Sequence, residues 1–155
     1  MSDYFPVVSG GAAIDRIVNQ PFTIGITSAT PGDLSVSISS QTCRYDKLGD
    51  FVDVSMGFAF TPTYTTAAGN FILTGLPFPA DGDTASNLIQ MAIGSAFPWP
   101  NTATQIALAP QSGTATAIIL GQKTSAGGQG AQITAFTSGT AYTLRFRGRY
   151  RTTRV

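Results

Sequence analysis

The chain has 155 residues, room for one domain with a sizeable core and no metal or disulfide staples, and it is 43% hydrophobic but only 11% charged. It contains no His, a single Cys43, eight acidic residues that are all Asp, and a formal net charge of +1. These numbers exclude a His-based nucleophilic centre, a His/Cys zinc site and an internal disulfide, and they give the whole molecule no pull toward nucleic acid or an anionic membrane.

Charge is scarce beside the roughly 25% of an average soluble protein. The polar positions are filled instead by 21 Thr and 13 Ser, which suit strands and turns, while exposed helix formers such as Lys and Glu are nearly missing. An all-β chain is predicted. The N-terminus has no basic region leading into a long apolar run, and no stretch of about 18 apolar residues occurs, so neither a signal peptide nor a membrane span is expected. A lone Cys fits folding in a reducing cytoplasm.

Residues 1–20 carry two apolar clusters (Tyr4, Phe5, Val7 and Val8, then Ile14, Ile17 and Val18) around Ser9-Gly10-Gly11, with no sustained period. They read as an extended N-terminal arm in which Asp15 to Asn19 could form at most one helical turn, ordered by a partner surface. The domain is expected over 21–155. Phe22, Ile24 and Ile26 share one face of a strand ending at Ser28, before the turn Thr30-Pro31-Gly32-Asp33. Leu34, Val36 and Ile38 then alternate with serines. After Cys43, Arg44 and Tyr45, the turn Lys47-Leu48-Gly49-Asp50 leads into the longest alternating run, Val52, Val54, Met56, Phe58 and Phe60. Burying those five side chains at roughly 1.5–3 kcal/mol each makes this run the main stabiliser before chain entropy is counted.

A Thr-rich link, Thr61 to Thr66, precedes the apolar Phe71 to Leu73, which Pro77 and Pro79 terminate. Leu88 to Ile93 reads as a buried strand, and Phe97 to Asn101, with two prolines, as a loop. Further strands are expected at Gln105 to Ala109, Thr114 to Leu120 and Gln132 to Thr137, with the Gly-rich 121–130 as a flexible loop. The last strand alternates Tyr142, Leu144, Phe146, Gly148 and Tyr150 with Thr143 and four arginines. Eight to ten short strands between turns predict an antiparallel β-sandwich or jelly roll with an extended N-terminal arm.

Nothing here composes an active site, and no enzyme, cofactor or metal is expected. The acids lie mostly in turns, where capping of backbone groups explains them. Asp81-Gly82-Asp83 lacks the further oxygen ligands of a calcium loop. Cys43 reads as a buried or half-buried thiol. Arg145, Arg147, Arg149 and Arg151 project to one side of the final strand, either as a basic strip for an acidic partner or subunit contact, or as charges that keep an exposed strand soluble. Nucleic acid is not expected there, because no exposed aromatics or basic loops interleave. Tyr64 and Trp99 could stack on sugar rings, or could equally cap the core or seal a subunit contact.

Four segments carry a resemblance: Thr30 to Leu34 (TPGDL), Tyr45 to Asp50 (YDKLGD), Phe60 to Thr66 (FTPTYTT) and Leu73 to Phe78 (LTGLPF). Together they resemble a module of tailed-bacteriophage virion proteins, found at tail-fibre tips and in small proteins on the capsid surface. The ending Phe146, Gly148, Tyr150 is similar, more thinly. The resemblance implies a compact sandwich, commonly a homotrimer, on the virion surface after synthesis in the host cytoplasm. The arm is short and no long stem or attachment domain precedes the sandwich, which favours a capsid decoration, or cement, protein. Its partners would be further copies of itself and the major capsid protein, gripped by the arm residues Tyr4, Phe5, Val7, Val8, Ile14, Ile17 and Val18. The alternative is a receptor-binding fibre tip that holds host glycan through Tyr64, Asp81 to Asp83 and Trp99.

Overall fold

This computed structural model describes residues 7–9, 12–14, 16–81, 89–91, 103–123 and 126–152. In chain order the strands are β1 (Val7–Ser9), β2 (Ala12–Ile14), β3 (Arg16–Pro21), β4 (Gly25–Thr30), β5 (Ser35–Leu48) and β6 (Phe51–Thr63). They continue with β7 (Ala68–Thr74), β8 (Ile89–Met91), β9 (Ala103–Pro110), β10 (Thr116–Lys123) and β11 (Ala126–Gly130); a 3-10 turn, Ile133–Ala135, then precedes β12 (Tyr142–Arg151). Two four-stranded antiparallel sheets, β5-β6-β12-β8 and β9-β10-β7-β4, pack as a sandwich. The pairing of β8 with β9, Ile89 opposite Leu108, carries the hydrogen bonding from one sheet into the other.

Strict alternation explains β6. Val52, Val54, Met56, Phe58 and Phe60 are all buried, and their neighbours face outward. A two-residue turn with Gly49 at φ 57 joins β6 to β5 and pairs Leu48 with Phe51, Asp46 with Asp53 and Arg44 with Ser55. Farther along, Ile38 pairs with Phe60 and Ser40 with Ala59, leaving Ser39 as the extra residue of a bulge. That residue flips the inward phase of β5 from Val36 and Ile38 to Cys43, Tyr45 and Lys47, so two out-of-phase runs form one strand of 14 residues.

Rings from both sheets meet in the core. Phe60 of β6 has its centroid 5.6 Å from Phe71 of β7, 5.4 Å from Phe136 and 5.9 Å from Tyr142. Leu73, Leu108, Ile119, Leu144 and Phe146 are fully buried around them. Tyr150 is also buried, and its hydroxyl accepts from Phe78 N (3.2 Å) and donates to Phe78 O (3.1 Å), so the loop after β7 is tied to β12. Burial pushes the Tyr150 pKa well above its ordinary value.

Three segments differ from the reading of the sequence. Gln132 to Thr137 is not a strand: Ile133 and Phe136, three residues apart, are both buried, which a 3-10 turn allows and a strand does not. Phe136 N donates to Ile133 O at 3.0 Å to close the turn. Within the Gly-rich 121–130, residues 121–123 pair with residues of 126–130, Gly121 opposite Gln129 and Lys123 opposite Ala126; ladder bonds need no side chains, so composition concealed them.

The third is Asp15 to Asn19, read as part of an extended arm that could form at most one helical turn when a partner surface orders it. Residues 16–21 form the edge strand β3, with Arg16 opposite Leu48 and Pro21 opposite Arg44. β-branched Ile17 and Val18 favour extension, and Asn19 tolerates the left-handed φ of 51 at the bulge. Residues 22–24 then cross between the sheets. Phe22 N donates to Cys43 O (3.1 Å) and Ile24 N to the Gln41 side chain (2.9 Å), after which Gly25 pairs with Thr74 and the ladder of β4 begins.

The turn before β5 is held by Asp33, whose carboxylate accepts from Thr66 N (2.7 Å), Thr66 Oγ1 (2.8 Å) and Thr65 N (2.8 Å). These bonds, Thr66 N foremost, lower the Asp33 pKa to about 2. A carboxylate depressed on folding stabilises above its unfolded pKa, and that contribution disappears as pH falls through the folded one. The melting-temperature difference between wild type and Asp33→Asn is therefore expected to be constant above about pH 5, to shrink as pH falls toward 2 and to vanish below it. Melting curves across that range check this; a pH-independent difference would disprove the clamp.

Candidate functional site

The outer face of β3-β5-β6-β12 is the most structured exposed surface among the described residues. Period-two geometry turns Thr42, Arg44 and Asp46 of β5 outward, together with Asp53, Ser55 and Gly57 of β6 and all four arginines of β12. Register sorts them into rows: Thr42–Gly57–Arg145, Arg44–Ser55–Arg147, Asp46–Asp53–Arg149 and Leu48–Phe51–Arg151.

Two like charges directly opposite, Asp46 and Asp53, would repel. Each is compensated. Arg149 grips Asp53 with two bonds, Nε to Oδ1 and Nη2 to Oδ2, both 2.9 Å. That bidentate grip raises the guanidinium's pKa further. Asp46 Oδ1 accepts from Asn19 N at 2.7 Å, and Asn19 O accepts from Arg44 Nη1 at 3.1 Å, so the left-handed residue of β3 clasps β5 on both sides. Arg151 lies 3.5 Å from Asp81. Arg149 and Arg151 both stand over the Phe51 ring, 5.5 and 5.7 Å from its centroid. The Arg149 pair is well exposed and so contributes about 0–1 kcal/mol. Its effect is positional.

The four arginines predicted to share a face do so, and two of them are held by acids, which answers how their repulsion is relieved. Arg147 has no partner among the described residues and borders an open depression of about 340 Å³ with Arg44, Thr42 and Ser55, closed at one end by the acids Asp46 and Asp53. Below it, Val18, Leu48 and Phe51 are large apolar side chains left 41%, 53% and 43% exposed. Val18 and Leu48 line a second depression of about 520 Å³ with Arg16, Ile17 and Lys47.

The other predicted residues are scattered. Tyr64 packs its ring against the core and donates its hydroxyl to Phe136 O at 2.6 Å, so it holds the 3-10 turn. Ile17 and Val18 lie on β3; Val7, Val8 and Ile14 lie in β1 and β2, which pair with each other. Tyr4, Phe5, Trp99, Gly82 and Asp83 lie outside the described residues. Cys43 is buried, and desolvation raises its thiol to about 11, leaving it protonated at neutral pH.

Arg44 and Ser55 were missed as members of this face. Their signal was present in the two-residue turn at Gly49-Asp50, which sets the register that brings them together. No family model matches this chain, and neither a curated protein nor a solved structure matches it.

Proposed function

We propose that this chain is a structural virion protein, a trimeric capsid decoration protein that binds the outside of a phage shell and stabilises it. The observation that carries the reading is the N-terminal region: β1 and β2 pair only with each other among the described strands and precede β3 at the edge of β5. An apolar segment that leads into a sheet edge, its two short strands paired with each other, suits a chain that orders on a partner surface. Three such segments on one trimer would bind multivalently, so weak individual contacts give firm attachment.

Two further features agree. Asp33, Asp53 and Asp81 are each engaged in turns or ion pairs, which suits a scaffold better than acid–base chemistry. The resembling segments TPGDL and FTPTYTT meet in the structure, since Asp33 of the first holds Thr65 and Thr66 of the second.

Because β3 covers the edge of β5, a test by truncation has to spare it. Deleting residues 1–15 is expected to leave the melting temperature of the sandwich within a few degrees and to remove the protein from capsids lacking their own copy. Sedimentation of particles mixed with full-length and truncated protein measures this. Equal occupancy by both would refute attachment through the arm.

A further inference from the structure

We propose that the outer face of β6 is the floor of a trough that binds an extended acidic polypeptide segment. β6 presents only small groups outward along this stretch, Ser55, Gly57 and Ala59. On either side stand larger ones: Thr42 and Arg44 on β5, Arg145 and Arg147 on β12, directly opposite those floor residues. Two strand spacings separate the walls, about 10 Å, and the floor runs about 14 Å. Arg145 leans inward, its Cγ 3.8 Å from where a Cβ on Gly57 would stand.

The spacing suits a strand-like ligand. Alternate side chains of an extended peptide recur about every 7 Å on one side, the same interval as the rows Ser55 and Gly57. Carboxylates two residues apart would then meet the Arg44–Arg147 row and the Arg145 row in succession. Guanidinium groups are matched to carboxylates by their paired donors. At the far end the Asp46–Asp53 row turns the sign of the surface, so an acidic side chain is disfavoured there and the ligand is read in one direction.

Among the described residues, the trough offers no ring on which a base or sugar could stack. Phe51, the exposed aromatic nearest to it, has Arg149 and Arg151 over its ring. This is why the occupant is an acidic peptide and not an oligonucleotide or an anionic glycan. Binding at the trough does not depend on the capsid assignment, since it concerns the soluble protein alone.

The test is fluorescence anisotropy on the full chain with an alternating Glu-Ser peptide of about five residues, matched in length to the trough. Comparison ligands are the Lys-Ser counterpart, a sulfated oligosaccharide and a single-stranded oligonucleotide. The Glu-Ser peptide is expected to bind, with affinity falling as salt rises, and the Lys-Ser peptide is not. Arg44→Gln with Arg147→Gln should weaken it at least about tenfold. Ser55→Met, which fills the floor without changing charge, should do the same, while melting curves show both variants folded. Unchanged binding in either variant overturns the trough, and tighter binding of the oligosaccharide or oligonucleotide overturns the choice of occupant.

Discussion

Phe60→Ala is expected to destabilise the sandwich by about 3–5 kcal/mol, the largest loss of any single truncation in this core. Phe60 is fully buried and touches rings from every side: Phe58 at 5.9 Å on its own strand, Tyr142 on β12, Phe71 in the opposing sheet and Phe136 in the 3-10 turn. Phe71 and Phe136 are themselves 4.9 Å apart, so the cavity would open where the two sheets and the turn converge. Little can collapse into it, because each neighbour is anchored on a different element. For a domain of this size the melting temperature should fall by roughly 6–20 °C. Phe51→Ala is the control, since Phe51 is 43% exposed and its removal leaves no cavity. Thermal unfolding of the two variants checks the contrast; comparable losses would mean that the core is not centred on Phe60.

Gly75→Ala is expected to cost at least about 2 kcal/mol, for reasons of backbone geometry. Gly75 has φ +82, and an added Cβ would strike the carbonyl oxygen of Thr23 and stand 3.4 Å from Ile24 Cα. Those residues belong to the segment that crosses from one sheet to the other, so relieving the clash would pull the crossing away from Gln41 and Cys43. Gly113→Ala separates the two causes. Gly113 also has a positive φ, +69, but nothing lies within 4 Å of its would-be Cβ, so only the left-handed penalty of about 1–2 kcal/mol applies. Denaturant titration of both variants should place Gly75→Ala clearly below Gly113→Ala. Equal midpoints would show that the crossing segment yields freely.

These effects rest on a fold whose class was legible in the residues. The alternations from Val52 to Phe60 and from Tyr142 to Tyr150 predicted two buried faces, and both are buried. Burial of an alternating face is decided by the local pattern, which is why those readings held. Ser39 was not legible as a bulge, because a single extra serine among polar residues leaves no mark except a change of phase. Nor was β3, whose strand character depends on the free edge of β5 that it covers. The same holds for the 3-10 turn, fixed by the Tyr64 hydroxyl from a distant part of the chain.

The arginine face was legible as a face, and its internal pairing was not. Period two sends Arg145 to Arg151 outward, but which acids meet them follows from the register of three strands at once. Sequence pattern names the participants, whereas the long-range pairing of β12 with β6 decides that Asp53 meets Arg149. The clamp from Asp33 to Thr65 and Thr66 likewise joins two turns that the sequence shows only as separate segments.

The proposed decoration role is tested most directly by copy number on purified phage particles. Quantitative mass spectrometry against the major capsid protein is expected to find hundreds of copies per particle, on the order of the number of shell subunits, because a stabiliser must act at every repeated junction. A few copies per particle would place the chain on a tail structure and contradict the account.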